Sequence, residues 1–256
     1  MMTYPAATWP LNNFYAPGET TALFEAISCR QSCRRFHSAP STAQWNDLAA
    51  AAKSLTLPGA RIALGLCDTS LFQPFFGILM KFENVQRYAA VITADDSAQS
   101  LVSAGVSGEM LLLDAVRMGL AGVWVAGTYK KNGVGLTLEP GEKIAALIAL
   151  GVPAEPPANS FRRKRKPLKE LMENDFSPAP IALREIAQSV WAAPSALNRQ
   201  PWRMRYEPEG TLYLRTPAPS LDLGIAAAHA VLALGNTAAS FSLSEDGTTV
   251  RIELKP

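Results

Sequence analysis

The chain has 256 residues, 48% of them hydrophobic, and a formal net charge of +2. A chain of this length and composition can bury a sizeable core, and it fits one large domain or two small ones. The N-terminal sequence lacks the basic and apolar regions of an export signal, and Asp114 and Arg117 interrupt the most apolar stretch, which starts at Met110. We therefore expect a soluble globular protein without a membrane span.

Cysteine and histidine usage excludes two further classes of protein. Cys29, Cys33 and Cys67 make an odd number, which argues against a disulfide framework and for a reducing compartment. We therefore expect a cytoplasmic protein. The two histidines, His37 and His229, do not lie at any usual metal-ligand spacing, so we expect neither a structural nor a catalytic metal ion.

Helix signals begin early in the chain. The segment ALFEAISC, from Ala22, predicts a first helix, and Ser41 with Gln44 forms a capping-box pattern ahead of WNDLAAAAKSL. The segment GEMLLLDAVRMG has apolar residues at helical spacing, and Gly119 at its end is a residue typical of a helix C-terminus. These patterns predict three helices before residue 120.

Six short apolar runs predict strands. They are RIALGLC from Arg61, RYAAVITA from Arg87, KIAALIALG from Lys143, WRMRY from Trp202, TLYLR from Thr211 and VRIEL from Val250. The fourth and fifth runs are separated by EPEG, which is typical of a hairpin turn. Helices and strands mixed in this way indicate an α+β fold.

The two sides of the proline-rich segment GVPAEPPANS carry their elements in the same order. The first side has a helix, the polar loop RQSCRRF, a strand, the helix SGEMLLLDAVRMGLAG and a strand. The second side has the helix IALREIAQSVWA, the loop APSALNRQPW, a strand, the helix LDLGIAAAHAVLALGN and a strand. We interpret this as a tandem duplication, with chance similarity as the alternative. The predicted units are an N-terminal extension (1–18), a first repeat (19–155), a basic linker (156–177) and a second repeat (178–256).

The loop CRQSCRRF is the first candidate binding site. Arg30, Ser32 and Arg34 occupy alternate positions, so in an extended segment their side chains would point the same way. Two guanidinium groups and a hydroxyl that converge on one point suit a phosphate, because arginine presents a planar fork to phosphate oxygens. A solvated basic loop is the alternative.

The run RRKRKPLK is the second candidate. It holds six of the 24 basic residues, which leaves 18 basic against 22 acidic residues in the rest of the chain. A nucleic-acid binder usually spreads positive charge over a face, so this local charge favours a site for one small phosphate, with Arg163 and Arg165 at alternate positions. A solvated charge run is the alternative.

Two further segments carry recognition chemistry. GVWVAG, from Gly122, predicts a short strand that ends in glycine, where backbone groups of Val125, Ala126 and Gly127 suit the close approach of a flat ligand. APSALNRQPW offers the hydrogen-bonding groups of Ser195, Asn198 and Gln200 but no acid, base or metal ligand. An ordinary buried strand and a self-satisfied turn are the respective alternatives.

Together these motifs resemble the FMN-dependent nitroreductases, from about Leu23 to the end of the chain. The closest likeness is to a small group typified by a Thermotoga protein, in which KPLKELMENDF, APSALNRQPW and DLGIAAAH have counterparts in this order. The resemblance implies a nitroreductase-like α+β fold with an antiparallel or mixed sheet and surrounding helices. The ordinary enzymes are homodimers with FMN at the subunit interface. Since about 160 residues separate Ser32 from Ser195, we expect two half-repeats packed as a single-chain pseudo-dimer with one intact FMN site.

The resemblance also implies which residues contact the cofactor. These are Arg30, Gln31, Ser32, Arg34, Arg163 and Arg165 at the phosphate and ribityl end, the backbone of Val125, Ala126 and Gly127 near N5, and Pro194, Ser195 and Asn198 from the second half. No side chain is implied as a catalytic group, because the chemistry takes place on FMN. The implied reaction is hydride transfer from NADH or NADPH through FMN to a small acceptor such as a nitroaromatic or quinone.

Two other functions stay open from the sequence. The bulky insert from Leu71 to Tyr88 suits a cover over the flavin face, as in an FMN storage or sensing protein without turnover. A nucleic-acid-binding module that uses the basic run from Arg162 to Lys169 is the other. We expect a small-molecule acceptor as the partner, no nucleic acid or membrane, and a monomer or a weak homodimer.

Overall fold

The computed structural model describes residues 17–72, 81–155, 164–235 and 237–255. Within these ranges the helices are Pro17–Cys29 (α1), Thr42–Ser54 (α2), Ala98–Arg117 (α3), Leu168–Leu171 (α4), Ile181–Ala192 (α5) and Leu221–Leu234 (α6). The strands are Phe36–Ser38 (β1), Ala60–Leu66 (β2), Arg87–Thr93 (β3), Ala121–Val125 (β4), Lys143–Pro153 (β5), Arg203–Glu207 (β6), Thr211–Arg215 (β7), Ala239–Leu243 (β8) and Thr249–Leu254 (β9). All the predicted helices and strands are therefore present, and β1, β8 and the short α4 are additional.

Two antiparallel sheets have the same strand order. The first runs β2-β3-β5, with β4 and then the short β1 along the free edge of β5, and the second runs β6-β7-β9-β8. Every pairing between these strands is antiparallel, so the expected alternative of a mixed sheet does not apply to the described strands. Each half thus consists of a hairpin, a long helix and a second hairpin. A chance alternation of helices and strands would not give both sheets the same strand order. The shared topology therefore supports the tandem duplication.

Chain order refines the correspondence between the halves. The helix directly before the first hairpin is α2, whereas α5 holds this position in the second half. The sequence comparison paired α5 with α1, but α1 and β1 precede this common unit. The short connection Leu55–Gly59 therefore stands in the first half where APSALNRQPW stands in the second.

The long helices α3 and α6 cross at the centre of the molecule. Both are largely buried, and α3 also packs on strands of the first sheet. A Cβ atom on Gly224 would lie 2.0 Å from the carbonyl oxygen of Val102 and 2.8 Å from Cα of Gly105. The backbones touch here because neither glycine has a side chain. One helix from each half thus forms the core of a two-sheet pseudo-dimer with a nitroreductase-like α+β fold.

Two local signals are confirmed in detail. In the capping box of α2, the backbone N–H of Gln44 donates to Ser41 Oγ over 3.2 Å, and the backbone N–H of Ser41 donates to Gln44 Oε1 over 2.9 Å. After α3, Gly119 has φ +81°, the left-handed conformation that follows many helix ends. Both elements therefore begin or end where their own sequence specifies.

Asp95, at the start of α3, is expected to make the free energy of unfolding depend on pH in the acid range. Its carboxylate accepts hydrogen bonds from Ser100 Oγ (2.6 Å) and the Ser97 amide nitrogen (2.9 Å), which lower its pKa from the ordinary 3.8 to about 2. Since the folded pKa is below the unfolded one, the carboxylate stabilises the fold above pH 3.8, and this contribution is lost as the pH falls through about 2. Urea unfolding of Asp95→Asn and the parent protein should therefore differ near neutral pH and converge at acid pH. A pH-independent difference would contradict this role.

Several predicted segments lie partly or wholly outside the described residues. These include most of the N-terminal extension (1–18), the centre of the insert (73–80) and the first part of the basic linker (156–163), so the unit boundaries stay predictions. None of the described helices is both long and apolar enough to cross a membrane. Among the described side chains, no group of three or more His, Cys, Asp or Glu is placed to hold a metal ion.

Candidate functional site

The loop after α1 runs beside the start of β4. Cys33 donates its backbone N–H to the Gly122 carbonyl over 3.1 Å, and Ser32 forms a parallel bridge with Gly122. Gln31, Ser32 and Arg34 line a cavity of about 710 Å³, which we call the first cavity. Three of the predicted site residues are therefore brought together.

Arg30 does not share the first cavity, contrary to the expectation from alternate spacing. Its backbone N–H donates to the Ala26 carbonyl over 2.8 Å, so Arg30 continues the last turn of α1 instead of belonging to an extended segment. Its side chain is 3% exposed and points into the core, where Nε lies 3.6 Å from Oε1 of Glu109. Burial lowers the pKa of Arg30, and the charge of Glu109 opposes this effect.

The Arg30 guanidinium retains free hydrogen-bond donors. Neither Nε nor Nη1 has a hydrogen-bond partner among the described residues, although both atoms are buried. Buried N–H groups in native proteins almost always have a partner, so an unpaired pair on a cation fits an oxyanion that is bound from outside the chain. A phosphate or the polar edge of a flavin meets this requirement.

Sequence reasoning missed a buried polar network around Glu109. Its carboxylate accepts a hydrogen bond from Trp124 Nε1 at 2.8 Å and lies 3.0 Å from Nε2 of His229. Nδ1 of His229 lies 2.9 Å from the Ser189 carbonyl, which can only accept, so Nδ1 carries the proton of this hydrogen bond. Burial lowers the pKa of His229. The one sequence signal was a glutamate within an otherwise apolar stretch of helix.

Arg165 joins the basic linker to the second half. It donates to the carbonyls of Ala192 and Ala193 over 2.7 Å each and to Oδ1 of Asn198 over 3.2 Å. Burial, together with the like charge of Arg30, lowers its pKa to about 10. Arg165 is therefore hydrogen-bonded to Asn198 and within electrostatic reach of Arg30. Arg163 lies outside the described residues.

The loop APSALNRQPW has a strained backbone and an internal hydrogen-bond network. Leu197, Asn198 and Gln200 have φ values of +52°, +55° and +48°, which residues other than glycine rarely adopt. Ser195 Oγ accepts a hydrogen bond from the backbone N–H of Gln200 over 2.8 Å, and Asn198 Nδ2 donates to the Lys164 carbonyl over 2.7 Å. The side chains of this loop thus stabilise its conformation and bind the basic linker. Backbone strain of this kind accumulates at functional sites.

This loop and the linker form a second cavity of about 660 Å³. It is lined by Lys164, Arg165, Lys166, Asn198, Arg199, Gln200, Pro201, Arg203 and Pro217 and shares no lining residue with the first cavity. The predicted residues are thus divided, with Arg165 and Asn198 here and Gln31, Ser32 and Arg34 at the first cavity. Val125, Ala126, Gly127, Pro194 and Ser195 line neither cavity. Ala126 and Gly127 are exposed after β4, where Gly127 has φ +84°.

The fold and its relatives define the class of protein. A crystal structure from Thermotoga maritima, described as a "putative nitroreductase", matches with a TM-score of 0.65 and 25% identity over 91% of this chain and 94% of that chain. The chain is thus similar to nitroreductase-type oxidoreductases. The model of the family described as "Putative TM nitroreductase" matches residues 22–234, and the protein belongs to this family.

Other structures match smaller parts of the chain. Nitroreductase A from Vibrio parahaemolyticus is 20% identical with a TM-score of 0.47, over 61% of this chain and 76% of that chain. A Desulfovibrio desulfuricans protein, described as a "putative nitroreductase in complex with FMN", is 21% identical with a TM-score of 0.43, over 60% of this chain and 96% of that chain. Among curated proteins, none matches the sequence.

Proposed function

We propose that the protein is an FMN-dependent oxidoreductase that passes hydride from NADH or NADPH to a small electron-poor acceptor such as a nitroaromatic or a quinone. The observation that carries this proposal is the buried Arg30, whose Nε and Nη1 have no hydrogen-bond partner among the described residues. Unpaired donors on a cation fit a bound anion, and membership of a nitroreductase family makes FMN the anion to test. FMN, when bound, supplies the two-electron chemistry, while the protein supplies position and electrostatics.

The first half is proposed to hold the phosphate and ribityl end of FMN. Gln31 and Ser32 offer uncharged hydrogen-bonding groups, and Arg34 offers a guanidinium whose buried Nε has no partner among the described residues. Arg30 adds its free N–H groups from the core side, and Arg165 adds a second charge, together with the predicted Arg163.

The remaining predicted residues are proposed to orient the flavin ring. Val125, Ala126 and Gly127 leave the first sheet at an exposed turn where glycine lets a flat ring approach the backbone. Pro194, Ser195 and Asn198 would contact the ring from the second half, because their loop begins beside the carbonyls that hold Arg165. Glu109 is proposed to keep Arg30 in place through their buried ion pair.

One FMN per chain is the expected stoichiometry. The connection Leu55–Gly59, which stands where APSALNRQPW stands in the second half, reads LTLPG and offers no asparagine or glutamine. The second half in turn has no counterpart of CRQSCRRF. Titration of the cofactor-free protein with FMN, followed by the quenching of flavin fluorescence, should therefore saturate at one equivalent. Saturation at two equivalents would show that both pseudo-equivalent sites are functional.

The bound FMN is expected to be reduced by a nicotinamide donor. We expect the visible flavin absorbance to bleach when NADH or NADPH is added without oxygen, and to return when a quinone or nitroaromatic is added. Turnover requires both steps, so they separate an oxidoreductase from a storage or sensing protein. A flavin spectrum unchanged by both donors would favour storage, and chemical reduction with dithionite would verify that the bound flavin is redox-active.

A further inference from the structure

The second cavity collects positive charge that the described residues do not pair. Its lining includes five cationic side chains and no carboxylate, namely Lys164, Arg165, Lys166, Arg199 and Arg203. None of these five lies within 4.0 Å of a carboxylate of the described chain, whereas nine other Lys and Arg side chains form such ion pairs. Asp222 interacts electrostatically with Arg199, and Glu109 with Arg165, but in both cases the charged groups are more than 4.0 Å apart. Protein surfaces usually intersperse charges of both signs, so a cluster of positive charges without counter-charges points to an anionic ligand.

The walls of this cavity are held in place by hydrogen bonds. The Lys166 amide nitrogen donates to Gln200 Oε1 over 3.0 Å, and Lys166 Nζ reaches the Gln200 carbonyl over 3.4 Å. Asn198 Nδ2 binds the Lys164 carbonyl on the other side. Pro201 and Pro217 further restrict the backbone of the rim. A ligand therefore meets a preorganised site, which reduces the entropy lost on binding.

Among the described residues proposed for the FMN phosphate, Arg165 alone lines the second cavity. Gln31, Ser32 and Arg34 belong to the first cavity only. Arg165 uses Nη1 and Nη2 on the carbonyls of Ala193 and Ala192. Nη1 of Arg203 donates to the Trp202 carbonyl over 2.9 Å, so Arg203 offers a ligand its other N–H groups. Arg199 also lines this cavity, and Lys164 and Lys166 lie beside the two arginines.

We propose that the second cavity binds the 2′-phosphate of NADPH and makes NADPH the preferred electron donor. This inference rests on the proposed function, because it identifies the donor of that reaction. A phosphate monoester carries close to two negative charges at neutral pH, and arginine forks bind its oxygens through paired hydrogen bonds. NADH has an uncharged hydroxyl at the same position, so a cluster of five cations favours NADPH over NADH.

The double variant Arg199→Gln, Arg203→Gln tests this site in the FMN-containing protein. Calorimetric titration uses adenosine 2′,5′-bisphosphate as the probe and adenosine 5′-monophosphate as its counterpart without the 2′-phosphate. The parent protein should bind the bisphosphate more tightly, and the double variant should lose about tenfold in affinity for each arginine removed. KM for NADPH should rise in parallel, while KM for NADH and the affinity for FMN stay unchanged.

Arg205→Gln is the matched control. Arg205 lies two residues after Arg203 on the same strand, but it pairs with Glu207 at 3.0 Å and does not line the cavity. This variant should bind the bisphosphate like the parent protein. Equal affinity of the parent protein for both nucleotides would overturn the proposal, as would a double variant that loses FMN instead of the bisphosphate. A third outcome is a protein that takes up no FMN but binds the bisphosphate, with this binding abolished in the double variant. That result would support the nucleotide site and overturn only the proposed function.

Discussion

The double variant Arg30→Ala, Arg34→Ala is expected to purify without FMN. Both guanidinium groups have buried N–H groups without a hydrogen-bond partner among the described residues, and we propose that both donate to the cofactor's phosphate. Each charge-assisted hydrogen bond contributes about 1.5–3 kcal/mol, so losing two weakens FMN binding by roughly 10²- to 10⁴-fold. The absorbance spectrum of the purified protein and a fluorescence titration with FMN measure this loss.

Two further variants keep this result interpretable. Removing Arg30 leaves the buried Glu109 without its arginine partner, which also costs folding free energy, so circular dichroism must accompany the titration. Arg34→Ala alone spares this core and should still weaken FMN binding at least about tenfold. Arg184→Gln, an exposed charge on α5, should stay yellow. A folded double variant that keeps full FMN occupancy would show that the phosphate lies elsewhere.

Gly224→Ala is expected to cause the largest loss of stability. Glycine to alanine within a helix ordinarily stabilises it by about 1 kcal/mol, since alanine has the higher helix propensity. Here the new Cβ would lie 2.0 Å from the Val102 carbonyl oxygen and 2.8 Å from Cα of Gly105, so the two central helices would have to separate. We expect the free energy of unfolding to fall by more than about 3 kcal/mol, as measured by urea denaturation.

Gly135→Ala is the control for this effect. A Cβ at Gly135 has no atom within 4 Å, and the residue is exposed, so the same chemical change should alter stability by less than about 1 kcal/mol. Equal stability of the Gly224 and Gly135 variants would mean that α3 and α6 do not cross at this point. The pseudo-dimer would then need a different central contact.

Most of the secondary structure could be predicted from sequence because its signals are local. The capping residues of α2, the glycine after α3 and the turn before β7 each act within a few residues of the element that they bound. The missed strands lack such signals. Phe36–Ser38 is only three residues long, and Ala239–Leu243 contains two serines and an alanine, which have little strand preference.

The candidate site could be predicted only in part. Motif spacing found the loop at Gln31, Ser32 and Arg34, which does line a cavity. It also suggested that Arg30 faces the same way, because it could not show that α1 continues for one more residue. Asn198 was predicted from its hydrogen-bonding capacity, but the sequence could not show that this capacity holds the basic linker.

Residue type and short-range spacing are enough to indicate the family, the order of the elements and the loops that carry binding chemistry. Three-dimensional packing was needed to show that Arg30 turns inward to Glu109 and His229, and that two glycines bring α3 and α6 into backbone contact. It also decided that the basic linker and APSALNRQPW form a cavity of their own. These contacts join residues that are distant in sequence, 28 positions for Arg165 and Ala193 and 79 for Arg30 and Glu109. Their energies depend on burial and geometry that no local pattern encodes.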